Sequence, residues 1–262
     1  MVVMIRLPQK RRKFIVVNNL LLLSGNDIPF PEARLVIHQP RIQEIAYVGE
    51  EKFFMGCEML NFSKEILNDK DKVGLENISD FEILMSIMND KHMLSRQNTE
   101  YALMVLMLLF PDYEIKLIKN AIRLEKENQG FFIDKNNFLH FKNIIKSIFC
   151  LDKKGGDELD YNPQSAAAKR IADKLKKGRE EAAKAKGQGG KSGLEIFSKY
   201  SLILAVGEAR NINDLMQYTV YQLFKEYEVY SAKEEFEKYF SAQLAGAQNL
   251  DKVEHWMSKA YS

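Results

Sequence analysis

The chain has 262 residues, and its 38 lysines and arginines against 36 aspartates and glutamates leave a formal charge of only +2, which excludes a protein that works through one global electrostatic field. With 46% hydrophobic and 28% charged residues it is not a disordered chain, and it has apolar side chains for one large or two ordinary domains. Its two cysteines, Cys57 and Cys150, stand far apart in apolar surroundings, which excludes a disulfide framework or a cysteine metal cluster and reads as buried thiols in a reducing compartment.

The N-terminal run KRRK followed by FIVVNNLLLLSG loosely imitates a secretory signal. Asn18 and Asn19 interrupt its apolar part, and no small-residue cleavage pattern follows. Residues 14–17 and 20–23, flanking the two asparagines, instead predict a β-hairpin, with 34–38 as a third strand after a Pro29/Pro31 turn. No run of about 18 apolar residues appears, so no membrane span is expected and the reading is a cytoplasmic protein.

Helices follow. A helix from Pro40 carries Ile42 and Ile45 and stops at Gly49; 50–60 is a second, with Phe53, Phe54, Cys57 and Leu60 on one side. Ser79 with Glu82 three residues on is a capping box for a helix within 77–90, with Phe81, Leu84, Met85 and Met88 on one face. Residues 101–110 are apolar nearly all round and predict a buried helix stopped by Pro111. Short strands are expected at 113–118, 121–124 and 131–133, then a helix over 137–149. The first half is therefore an α+β domain, 1–151.

Residues 152–193 read as a linker. DKKGGDELD and GQGGKSG have no apolar periodicity, and between them 163–186 predicts a helix capped by Asn162, with Pro163 in its first turn. From Lys169 to Lys186 eight basic residues face three acids. Lys169, Arg170, Lys174, Lys176, Lys177 and Arg179 are candidate partner-binding residues; a solvated helix face is the plainer reading of such a run.

The remainder, 194–262, predicts a helical bundle: an apolar helix over 194–206, one over 213–230 with a seam of Met216, Val220, Leu223, Tyr227 and Tyr230, one beginning at the Ser231/Glu234 capping box, and a last one around Trp256. Tyr218 and Tyr221 lie off the seam and are read as surface-facing contact residues, against the alternative that they pack on the first half. The fold class is thus α+β, predominantly helical.

No catalytic chemistry emerges. AKGQGGKS at 185–192 falls one residue short of the phosphate-loop pattern and follows a basic helix where that loop needs a strand. His38, His92, His140 and His255 have no ligand spacing, and no serine or cysteine sits in a nucleophile motif. No cofactor or metal is expected.

The strings SGNDIPFPEARLVIHQPRIQEIAYVGEEKFF, YNP…AAAKRIADKLKKGREEAAKAKG and YSLILAVGEARNINDLMQYTVYQLFKEYEVY…AQLAGAQNLDKVEHWM together resemble tail assembly chaperone-like, tail morphogenesis proteins of tailed bacteriophages. The resemblance spans almost the whole chain and brings no residue-level chemistry. It implies a non-enzymatic protein of the host cytoplasm, retained or not in the virion, that binds the helical tape-measure protein and tail-tube subunits. Two other readings stand beside it: a packaging protein that binds nucleic acid weakly and non-specifically through 169–191, and a structural tail or neck component. An enzyme with a site assembled from distant residues is a further reading, and a buried convergent polar cluster would be its mark.

Overall fold

The computed structural model describes residues 17–64, 77–90, 93–151, 196–247, 253 and 255–260. They form an α+β, predominantly helical fold with two small antiparallel sheets. The first element corrects the sequence reading. Leu20 to Leu23 belong to a helix, α1 (Asn19–Ser24), because the Asn18 side chain accepts the Leu21 N–H at 2.8 Å as an N-cap and Gly25 closes it with φ +66°. The hairpin comes later, from β1 (Ile28–Phe30) and β2 (Leu35–Ile37), so Pro29 lies in a strand and not in a turn.

Helices α2 (Ile42–Val48) and α3 (Glu50–Leu60) meet at Gly49, whose φ of +89° suits glycine. Helix α4 (Asp80–Met88) starts at the expected capping box, with the Ser79 hydroxyl accepting the Glu82 N–H and the Glu82 carboxylate accepting the Ser79 N–H. Helix α5 (Met93–Leu109) starts eight residues before the expected 101 and packs against α3. Gly56 of α3 faces the Tyr101 carbonyl of α5 so closely that a Cβ there would overlap it; glycine is what lets the two backbones approach.

Strands β3 (Glu114–Ile118), β4 (Ala121–Lys126) and β5 (Gln129–Ile133) form a meander. The β4–β5 turn is Glu127 and Asn128, both at positive φ, the pairing favoured in two-residue hairpins, so β5 starts two residues before the expected 131 and takes in Gly130. Ile122, Leu124 and Ile133 face the core, while Lys116, Arg123 and Glu125 pair on the outer face. Helix α6 (Phe138–Phe149), within a residue of its expected bounds, then lays Phe138, Phe141, Ile144, Ile145, Ile148 and Phe149 into the core.

After residues 152–195, where the helix expected over 163–186 lies outside the described residues, come α7 (Ile196–Gly207), α8 (Ile212–Leu215), α9 (Val220–Leu244) and α10 (Trp256–Ala260). Helix α9 replaces the two helices expected on either side of Ser231. It begins at a capping box of Thr219 and Gln222, and Ser231 and Glu234 lie inside it. Phe197, Tyr200, Leu204, Leu215, Val220, Tyr221 and Leu223 join the same buried cluster as α3, α5 and α6, so both halves share one core.

One charge is buried in that core. The Lys142 side chain of α6, 7% exposed, donates to the Phe62 carbonyl at 2.7 Å and to Asp80 Oδ2 at 3.2 Å. Burial alone would raise the Asp80 carboxyl. The Lys64 N–H, the Lys142 ammonium and the Ser63 hydroxyl outweigh it and hold the group below its ordinary value. A depressed carboxyl contributes stability that is complete above its unfolded value, about 3.9, and is lost as pH falls through the folded one. Asp80→Asn is expected to cost about 1–3 kcal/mol at pH 7, because it strips the buried ammonium of its counter-ion. Urea midpoints at pH 7 and pH 3 check this: the gap between variant and wild type should shrink at pH 3.

Candidate partner-binding surface

The sequence candidates fall into two groups. Lys169, Arg170, Lys174, Lys176, Lys177 and Arg179 are outside the described residues. The described residues on either side of them meet at one place, however. Phe149, at the end of α6, and Phe197, at the start of α7, both pack on the buried Phe53 ring, at centroid distances of 4.9 and 5.7 Å. Glu50 fixes the return: its carboxylate accepts the Phe197 N–H at 3.3 Å and the Ser198 N–H at 3.0 Å, capping α7 from 147 positions away.

Tyr218 and Tyr221 are not the surface pair that their spacing suggests. Tyr221 is 5% exposed, because α9 enters the core on more than one side at its N-terminal end. Tyr218 is half-buried, and its hydroxyl accepts from Arg210 at 2.6 Å. Arg210 also pairs with Glu226 at 2.6 Å and Glu208 at 3.2 Å. Burial, with the Glu226 carboxylate beside it, raises the Tyr218 phenol above its ordinary value, while Arg210 opposes the shift. Nearby, the Tyr218 and Met216 carbonyls accept the Ile42 and Gln43 N–H groups at 2.9 and 3.0 Å, satisfying the open start of α2. Both tyrosines therefore help hold the second half on the first.

Leu202 and Val206 of α7 are exposed, and another stretch of uncovered apolar surface in this region lies further along α9. Its first half is packed by Phe224, Tyr227 and Tyr230, with Tyr227 stacked on Tyr200 at 3.6 Å. Its second half carries Phe236, Tyr239, Phe240 and Leu244 at helical spacing, met by His255 and Trp256 at the Phe236 end. Phe240 is 50% and Leu244 74% exposed, and Met257 of α10 is 47% exposed. Phe236 to Leu244 fall on the bundle helix expected from Ser231/Glu234, whose far end the structure leaves in solvent. What the sequence could not reveal is how far α10 reaches along α9.

Among the described residues no group of three His, Cys, Asp or Glu side chains is arranged to hold a metal, and no helix is long and apolar enough to cross a membrane. The sharing of His38 between Asp27, at 2.9 Å, and Glu44, at 3.3 Å, ties β1 to α2.

The model of a family described as the YomV second domain matches residues 197–261, the stretch from α7 to the C-terminal side of α10. That family is phage-derived, from a Bacillus prophage, and the match fits a phage protein. No curated protein and no solved structure matches the chain.

Because the two tyrosines act in the fold, substituting them should change stability before any contact. Tyr221→Ala is expected to cost about 3 kcal/mol or more through the cavity it leaves, and Tyr218→Phe about 1 kcal/mol through the lost hydrogen bond to Arg210. Chemical denaturation of both variants at neutral pH measures the two costs.

Proposed function

We propose that this phage protein acts without catalysis, as a tail assembly chaperone or scaffold that binds the tape-measure protein, tail-tube subunits or both in the host cytoplasm. The observation that carries the reading is the outer half of α9 with α10. It lies within the stretch matched by a phage-derived family and leaves Phe240, Leu244 and Met257 without cover. Uncovered apolar residues on an amphipathic helix are what a partner helix or strand uses for docking. The basic residues Lys169 to Arg179 would speed encounter with an acidic partner without adding much affinity. Their excess of positive charge also supports the second reading, sequence-independent binding of nucleic acid during packaging.

Co-expression of the tagged chain with candidate tail proteins, followed by nuclease treatment and purification at moderate salt, separates the two. Recovery of a tape-measure or tail-tube protein is expected, and Phe240→Ser with Leu244→Ser should abolish it while leaving the melting temperature unchanged. Nucleic acid alone before nuclease, with no protein after it, would reject the chaperone reading in favour of packaging.

A further inference from the structure

The three-stranded meander has two edges, and they differ. On β5 the alternation of the ladder turns the Phe132 carbonyl away from β4, and the Asn137 side chain occupies it, donating at 2.9 Å. On β3 the two-residue Lys119–Asn120 turn sets Ile118 opposite Ala121, so the bonds to β4 fall at Ile118, Lys116 and Glu114. The N–H and C=O groups of Ile115 and Leu117 therefore point away from β4. Among the described residues no strand lies beyond them, and none of these groups has a hydrogen-bond partner. An edge of that kind is a template for one more strand.

The outer face of β3 selects which strand fits. The register puts Glu114 directly opposite Glu125 and Lys116 directly opposite Arg123, like charge against like, which is unfavourable in a sheet. Neutralisation comes along the diagonal and the strand: Lys116 lies 2.6 Å from Glu125 and 3.1 Å from Glu114, and Arg123 also turns to Glu125. So paired, Lys116 no longer guards the edge as an isolated lysine would. Glu114, 66% exposed, has only Lys116 beside it among the described residues. The open side of β3 thus suits a strand that sets a cation opposite Glu114 and an acid opposite Lys116.

We infer that the β3 edge pairs antiparallel with β3 of a second copy of this chain. With the two-fold axis at Ile115, that residue faces Ile115 of the second copy and the two exchange both backbone bonds. Glu114 then lies opposite Lys116 of the second copy and Lys116 opposite its Glu114, while Leu117 meets the half-buried Tyr113 on the inner face. An axis at Lys116 would use the same backbone groups but set lysine against lysine, so charge selects the register. The pairing joins the two three-stranded meanders into one sheet. This edge is separate from the α9–α10 strip, and the inference does not depend on the chaperone reading.

Sedimentation equilibrium of the full chain over about 1–200 µM tests it. The wild type should pass from the 30.3 kDa monomer to twice that mass. Glu114→Lys and Lys116→Glu, both at solvent-facing positions, should each weaken self-association about tenfold or more, because either one turns both charged pairs into like charges. Mixing the two variants should restore a dimer containing one copy of each, since acids then face lysines at every charged position; misfolding of a variant could not give that rescue. A wild type that stays monomeric, dimers that both charge reversals leave intact, or a mixture that stays monomeric would overturn the assignment. In the second case, loss of the dimer in Phe240→Ser with Leu244→Ser would place the contact on the α9–α10 strip.

Discussion

The buried ring of Phe53 is the contact on which the rest of the architecture depends. It receives Phe149 edge-on from α6 and Phe197 from α7, while its neighbour Phe54 stacks on Phe197 at 5.1 Å. Phe197 passes the contact on to Phe224 of α9, and Tyr200 carries it to Tyr227. Edge-to-face and offset pairs of this kind add about 0.5–1.5 kcal/mol each beyond the area they bury. A chain of them therefore fixes orientation as well as contact. Gly56, three residues on from Phe53, sets α3 against the α5 backbone, so the ring is presented from a helix that cannot slide.

This junction determines how function can be distributed. The described residues that flank 152–195, Phe149 of α6 and Phe197 of α7, meet on the one Phe53 ring. Helix α9 starts in the shared core and ends outside it. Its 25 residues span about 37 Å at 1.5 Å each, and Phe240 and Leu244 at the far end keep half or more of their surface in solvent. An outer half carried by a helix anchored in the core is what the proposed docking strip would need in order to bind with little ordering cost.

Much of this was readable in the sequence, and the failures have physical causes. Helix α3 appears with the expected bounds because its stripe and the flanking Gly49 agree, and the Ser79/Glu82 box forms as written. The same logic failed at Ser231/Glu234, since a Ser-x-x-Glu pattern within strong helix formers gives the backbone no reason to stop. The real start, Thr219/Gln222, uses the glutamine form of the box. The run 20–23 reads equally as a strand, because four apolar residues have no period that separates strand from short helix, and the Asn18 cap decides for the helix. Tyr221 was misplaced for a different reason: a seam defines one buried face, and α9 near its start is covered on two. Glu50 capping α7 lies beyond any local pattern, since donor and acceptor are 148 positions apart.

The central claim is that α7 to α9 complete a core begun by α3, α5 and α6, and do not form a bundle of their own. A specific protease site placed within 187–193, cleaved in the folded protein and followed by size-exclusion chromatography without denaturant, tests it directly. The two fragments should elute together at equal amounts and separate only in denaturant. Elution as two independent folded species would contradict a shared core.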